Sequence, residues 1–195
     1  ACAVIAVLWG VLVADGIARV LEHRDEGSAR SEAAAEQAAF EALVASISTR
    51  LIASSAADLD RAITEGLHAI AAFFAADVAF IDELTPDHGG RRRTHVWASV
   101  EPPDPVSEPA DPGPLRATMV RLARAGHLVA RRGVGRADDE AAVAMLGPRE
   151  RAALWVRLGT GADPAGILGL AWQTVDPPAT DDLLGPVRFA ADAFH

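Results

Sequence analysis

The 195-residue chain has no tyrosine, lysine or asparagine, and its single cysteine is Cys2. One cysteine excludes an intrachain disulfide and a cysteine-based metal site, and it argues against thiol catalysis. All 18 basic residues are arginine, which indicates the codon usage of a GC-rich genome more than selection for arginine chemistry. The net charge of -9 argues against a general nucleic-acid binder, because neutralising phosphates requires a basic surface.

Motifs for metals and phosphates are also missing. The six histidines are scattered without the spacing of a helical zinc motif, so we predict no metal site and no cofactor. The segment 133–136 (GVGR) lacks the third glycine of a phosphate-binding loop and is interpreted as a turn. The arginine triplet 91–93 is interpreted as a solvated turn.

The first 21 residues are almost wholly apolar and predict a truncated transmembrane helix. A buried core helix and the hydrophobic part of a signal peptide are the alternatives. Arg19, Arg24 and Arg30 follow the apolar run, and the positive-inside tendency then places the rest of the chain in the cytoplasm.

Residues 22–39 are polar and rich in alanine and glutamate, and we predict a helical signalling linker there, with an ordinary solvated linker as an equal alternative. The linker leads into apolar residues spaced by three and four, which define one face of a helix: Phe40, Leu43, Val44, Ile47 and Leu51. The globular domain is expected over residues 40–195.

Hydrophobic periodicity and turn residues predict the elements of this domain. A second helix follows Asp58 as its N-cap, and strands over 77–84 and 91–100 form a hairpin. A proline-rich loop, a helix over 115–125 and a strand over 127–131 come next. A short helix over 138–146, a second hairpin (151–158 with 166–174) and a helix over 181–194 complete the order. Paired strands with helices at both ends predict an α+β fold in which terminal helices cover one face of an antiparallel sheet, leaving the other face for a pocket.

This order of elements resembles the GAF family of small-ligand sensor domains, which are PAS-like in architecture, over residues 40–194. The resemblance rests on four segments: FEALVASISTRLI, LDRAITEGLHAIAAFFAADVAFIDEL, THVWAS and RAALWVRLGTGADPAGILGLAW. Residues 94–97 (THVW) look like the Thr-His-Glu-Trp strand that is frequent in bacterial sensors.

Departures from the family pattern exclude several of its activities. Ala152 and Arg157 stand where the fourth strand usually has a serine and a proline, and 175–178 (VDPP) replaces an Arg-x-Trp segment. The domain has no cysteine for bilin attachment or methionine sulfoxide reduction. It also lacks the asparagine and lysine of the cyclic-nucleotide signature.

Four residues are candidate ligand contacts: His95, Trp97, Trp155 and Arg157. Period-two alternation predicts that Arg93, His95, Trp97 and Ser99 share one strand face. His95 supplies a hydrogen-bonding group and Trp97 a stacking surface. Trp155 and Arg157 share a face of a later strand, where Arg157 suits an anion. For Trp97 and Trp155, core packing is the alternative role. We expect a pocket under residues 114–146 that binds a small planar or anionic molecule through His95, Trp97 and Arg157.

No enzymatic activity is predicted. Asp82 and Glu83 alternate along a strand and point apart, so they cannot act as an acid and base pair. The resemblance implies a sensor domain of a bacterial inner-membrane signalling protein, homodimeric through its terminal helices, with an effector such as a histidine kinase or a diguanylate cyclase. A relay module without ligand and a small soluble enzyme are the alternatives.

Overall fold

The computed structural model of the chain describes residues 31, 33–84, 91–99, 113–133, 140–159 and 166–194. The membrane span predicted for residues 1–21 lies outside these ranges, and of the predicted linker only residues 31 and 33–39 fall within them, in a helix. No helix in the described ranges has the length and apolar character needed to cross a membrane. By internal contacts the chain divides into the units Ala1–Ala42 and Leu43–His195.

Five helices and five strands occur in the described ranges, close to the order predicted from the sequence. The helices are α1 (33–53), α2 (Leu59–Phe73), α3 (Gly113–Ala125), α4 (Glu140–Val143) and α5 (Thr180–Asp192). The strands are β1 (Val78–Leu84), β2 (Arg91–Ala98), β3 (His127–Arg131), β4 (Ala152–Leu158) and β5 (Gly166–Trp172). The α+β prediction is confirmed.

The strands form one antiparallel sheet in the order β2-β1-β5-β4-β3. The two predicted hairpins, β1–β2 and β4–β5, lie side by side, with β1 paired to β5. Gly126, at a φ of +77°, allows the sharp turn from α3 into β3, because only glycine adopts that backbone conformation without strain.

Helices cover both faces of the sheet. On one face α2 packs on β1 and β2, α5 packs on β4, and the Trp172 indole donates to the Phe74 carbonyl at 3.2 Å. On the other face α3 and α4 pack on β3 and β4. Side chains of this second face form a core cluster that includes Phe80, Met119, Leu122 and Trp155. The space under the central helices is therefore largely filled by packed apolar side chains.

Two local predictions need correction. Asp58 precedes α2 as expected, but its carboxylate makes no cap hydrogen bond; it accepts from the Ser55 hydroxyl at 2.7 Å and the Arg61 guanidinium at 2.8 Å. The arginine triplet is part of strand β2 and not a turn. Alternation along the strand leaves only 9% of the Arg91 side chain and 14% of the Arg93 side chain exposed, while Arg92 is 75% exposed.

Candidate functional site

A β-bulge in β2 decides which side chains share a face. Ile81 pairs with His95 but Asp82 pairs with Arg93, so Thr94 is an extra residue in the ladder. An extra residue reverses the alternation of side chains across it. The prediction that Arg93, His95 and Trp97 share one face is therefore wrong.

His95 and Trp97 lie on the face covered by α2. The His95 Nε2 atom is 3.2 Å from an Asp60 carboxylate oxygen, and its Nδ1 atom is 3.1 Å from the Thr94 hydroxyl. The Trp97 ring stacks on His68 with a centroid separation of 4.6 Å and an interplanar angle of 21°. These contacts connect the edge strand β2 to helix α2.

Trp155 and Arg157 lie on the opposite face. Trp155 is fully buried in the core cluster under α3, and the Arg157 guanidinium donates to the carbonyl of Ala123 near the end of α3 at 2.9 Å. The sheet thus separates these two residues from His95 and Trp97. Within the described residues, His95, Trp97 and Arg157 therefore do not line one cavity, while ligand contact by any one of the four candidate residues stays a prediction.

On the α3 side, the sequence analysis missed a buried charge cluster. The Asp82 carboxylate has no exposed surface and lies between two arginines. Arg93 binds it with two nitrogens, at 2.8 and 3.3 Å, and the Arg91 Nη1 atom lies 3.4 Å away. Both arginines therefore share the Asp82 carboxylate in a buried environment, where an ion pair requires close partners.

Arg91 is the less satisfied of the two arginines. Within the described part of the chain its Nε and Nη1 atoms are buried and have no hydrogen-bond partner. Burial lowers the pKa of the Arg91 guanidinium, and the charge of Arg93 adds to this, while the Asp82 and Glu150 carboxylates oppose the fall. Buried donors are almost always paired in folded proteins, so these Arg91 atoms are exceptions that require a physical explanation.

Apolar and aromatic groups surround the cluster. The Arg93 guanidinium carbon lies 3.7 Å from the centre of the Phe80 ring, which holds the cation by its π face. The buried Trp155 Nε1 atom also has no hydrogen-bond partner within the described residues. Within the described residues, the α3 side of the sheet thus contains buried N–H groups of Arg91 and Trp155 that have no hydrogen-bond acceptor.

The segment after α4 is held in a fixed shape beside this face. The Arg132 guanidinium donates to the carbonyls of Glu150 at 2.9 Å and Gly147 at 2.7 Å. The buried Glu150 carboxylate accepts from the Gly147 amide at 2.9 Å. Because these polar groups are internally paired, the segment is preorganised.

The described residues contain no group of three or more His, Cys, Asp or Glu side chains that could hold a metal ion. Their buried carboxylates are committed to structural partners. Asp82 binds arginines and Glu150 binds a backbone amide, while Asp77 accepts from the amides of Gln173 and Thr174 at 2.7 and 2.8 Å. In the described part of the chain, the groups of the cluster that lack hydrogen-bond partners are guanidinium N–H donors of Arg91.

No family model and no curated protein sequence matches the chain. Its structure is similar to several solved GAF domains. The phycoerythrobilin-bound GAF domain of a cyanobacterial phytochrome has 16% identity and a TM-score of 0.59, with 79% of this chain and 90% of that chain covered. The GAF domain of a candidate sensor histidine kinase from Pseudomonas syringae pv. tomato has 16% identity and a TM-score of 0.51, with 83% and 87% covered. The A. aeolicus nlh2 GAF domain in an inactive state has 12% identity and a TM-score of 0.52, with 82% and 94% covered.

Structural similarity at sequence identities this low shows the fold alone. The chain has the GAF fold, as the resemblance in its sequence implied.

Proposed function

We propose that this chain is a small-ligand sensor domain of a bacterial signalling protein and that its ligand is a small planar anion held by Arg91 and Arg93. One observation carries the proposal: Arg91 is nine-tenths buried on the α3 side of the sheet, its Nε atom has no hydrogen-bond partner within the described residues, and its Nη1 atom reaches Asp82 only at 3.4 Å. The fold supports it, since the structurally similar domains include one described as bilin-bound and one from a candidate sensor histidine kinase.

A carboxylate fits this position on chemical grounds. Its two oxygens match the fork of a guanidinium, and Arg91 is less closely bound to Asp82, at 3.4 Å, than Arg93 is, at 2.8 Å. Binding then stabilises the folded domain, and helices α3 and α4 on this face respond to it.

The role is non-catalytic. The buried carboxylates of the described region are engaged with arginines or backbone amides, and the sequence supplies no nucleophile paired with a base. What the domain offers its ligand is recognition.

The signal passes through the terminal helices to an effector such as a histidine kinase or a diguanylate cyclase, and the domain works as a homodimer through those helices. This proposal is supported by the two terminal helices of the chain's described part. The first is α1, over residues 33–53, and the last is α5, which packs on β4. The apolar residues 1–21 tether the protein to the inner membrane, with the domain in the cytoplasm.

The ligand site is tested by thermal unfolding with benzoate as the probe, alongside other small carboxylates. A saturating ligand at about one hundred times its dissociation constant adds about 2.7 kcal/mol, which raises Tm by several degrees. Arg91→Met should abolish this rise. Arg92→Met is the matched control, because Arg92 is exposed between the two buried arginines and pairs with Glu83.

Arg91→Met is also informative without ligand. Removing an incompletely paired buried charge should leave stability unchanged or raise it, whereas Arg93→Met removes the two-nitrogen partner of Asp82 and should cost about 3 kcal/mol. If Arg91→Met destabilises the ligand-free domain as strongly as Arg93→Met, Arg91 is a structural residue and the proposed site is wrong.

The tether is tested by fractionating cells that express residues 1–195 or residues 22–195. We expect the longer chain in the membrane fraction and the shorter chain in the soluble fraction. Recovery of both chains in the soluble fraction without detergent would refute the tether.

A further inference from the structure

A second polar cleft lies away from the Arg91 cluster, where α3, β4 and the last turns of α5 come together. Its volume is about 300 Å³. It is lined by Arg124, Ala125, Gly126, Val156, Arg157, Gly159, Arg188 and Asp192. We call it the three-arginine cleft.

The charge of the three-arginine cleft is opposite to that of the whole chain. Three arginines and one acidic residue, Asp192, line it, in a protein with a net charge of -9. Concentrated positive charge in a concave surface attracts anions, and the concavity strengthens the field.

Two of the arginines are held in place by the end of α3. Arg188 donates to the carbonyl of Ala125 at 2.9 Å, and Arg157 donates to the carbonyl of Ala123 at the same distance. These bonds offset the partial negative charge at the helix C-terminus, which otherwise repels an anion. The Arg188 guanidinium carries five N–H donors, more than its contacts to Ala125 and His127 require.

His127 adds a further constraint on Arg188. Its Nδ1 atom lies 2.6 Å from the Arg188 Nη2 atom. A guanidinium only donates, so Nδ1 is the acceptor in this contact. Arg188 is thereby fixed by two acceptors on the segment that joins α3 to β3.

The backbone around the cleft leaves space for a ligand. Gly126 and Gly159 have φ values of +77° and +88°, conformations that side-chain-bearing residues rarely adopt. A Cβ atom at Gly126 would lie 3.4 Å from the Arg188 Nη2 atom. Glycine thus keeps the approach to that guanidinium open.

We infer that the three-arginine cleft binds the phosphate group of a small phosphorylated molecule. A tetrahedral oxyanion presents acceptors on all sides and can engage guanidinium groups from α3, β4 and α5 together. The inference is independent of the function proposed for Arg91, because the two sites share no residue.

Titration of the full chain with phosphate and with pyrophosphate tests this inference. Calorimetry measures the binding, at constant ionic strength with chloride as the balancing anion. We expect saturable binding, tighter for pyrophosphate. Arg124→Gln should weaken it about tenfold, the effect of one lost charge-assisted contact of about 1.4 kcal/mol. Asp192→Asn should strengthen it, because it removes the opposing charge.

Arg61→Gln is the matched control, since Arg61 is an exposed arginine on α2 outside the cleft. Equal weakening by Arg61→Gln and Arg124→Gln would show non-specific attraction and overturn the inference. Loss of binding in Arg91→Met with retention in Arg124→Gln would assign the phosphate to the Arg91 cluster and also overturn it. If neither anion saturates binding at millimolar concentrations, the inference is also overturned.

Discussion

The ring of Phe80 occupies the position that a side chain at residue 169 would take. A Cβ atom added to Gly169 would lie 2.1 Å from the Phe80 Cζ atom, well inside any tolerated contact. The two residues pair across β1 and β5, and the guanidinium of Arg93 packs on the face of the Phe80 ring. Because residue 169 on β5 is glycine, the Phe80 ring can lie against its backbone and remain in contact with Arg93.

Gly169→Ala should destabilise the domain by about 3 kcal/mol, because overpacking at a buried position forces the ring and backbone apart. Urea unfolding measures the loss. In a Phe80→Leu background the same alanine should cost much less, since the shorter side chain leaves room for the methyl group. Equal losses in both backgrounds would show that the Phe80 ring does not set the requirement for glycine.

Asp77 should make stability depend on acid pH. Burial acts to raise the pKa of its carboxyl, but hydrogen bonds from the amides and hydroxyl of Thr174 and Gln173 outweigh burial and hold the pKa below its usual value. A depressed folded-state pKa stabilises the fold above the unfolded pKa of about 3.9, and this stabilisation disappears as pH falls through the folded value.

Asp77→Asn should therefore lower stability by about 2 kcal/mol at neutral pH and by progressively less below about pH 4. Unfolding in urea across this pH range measures the difference. Asp176→Asn is the control, because its carboxylate is 79% exposed and pairs with the half-exposed Arg151. A constant difference between Asp77→Asn and the unmodified chain at all pH values would contradict the argument.

Trp97 and His95 are expected to act through stability. Trp97→Leu removes the stacking on His68, and His95→Ala removes the contact to Asp60, so each should cost about 1 kcal/mol by loosening α2 from β2. Benzoate affinity should stay unchanged in both variants. A tenfold loss of affinity in either variant would instead place a ligand contact on the α2 face, as the sequence had predicted.

Substitutions at Ile47 and at Ile52 should distinguish an effect on folding from an effect on dimerisation. Ile47 is buried, and its Cγ2 atom lies 3.2 Å from the position of a Cβ on Gly66, beside the Phe194 ring. Ile47→Glu should thus unfold the protomer, by about 3 kcal/mol or more, because it buries a charge. Ile52 is 87% exposed, so Ile52→Glu should leave Tm unchanged and weaken dimers in sedimentation equilibrium. A chain that is monomeric at high micromolar concentration before any substitution would refute the dimer.

The apolar stripe of α1 shows where prediction from the sequence stopped. Spacing identified Val44 and Ile47 as members of a buried face, and both are buried. Spacing does not identify the partner that covers such a face. The sequence analysis assigned the stripe to a second protomer, whereas Ile47 meets Gly66 and Phe194 of its own domain.

The order of helices and strands, the two hairpins and the GAF resemblance followed from the sequence, because hydrophobic periodicity and turn residues act over short stretches of chain. The site depended on tertiary structure. One extra residue, Thr94, reversed the faces of β2, sending His95 and Trp97 to α2 and Arg93 to Asp82. A bulge is fixed by pairing with the neighbouring strand, so a count along β2 alone could not reveal it. Only the folded sheet showed that Arg91 and Arg93 are buried on either side of an exposed Arg92.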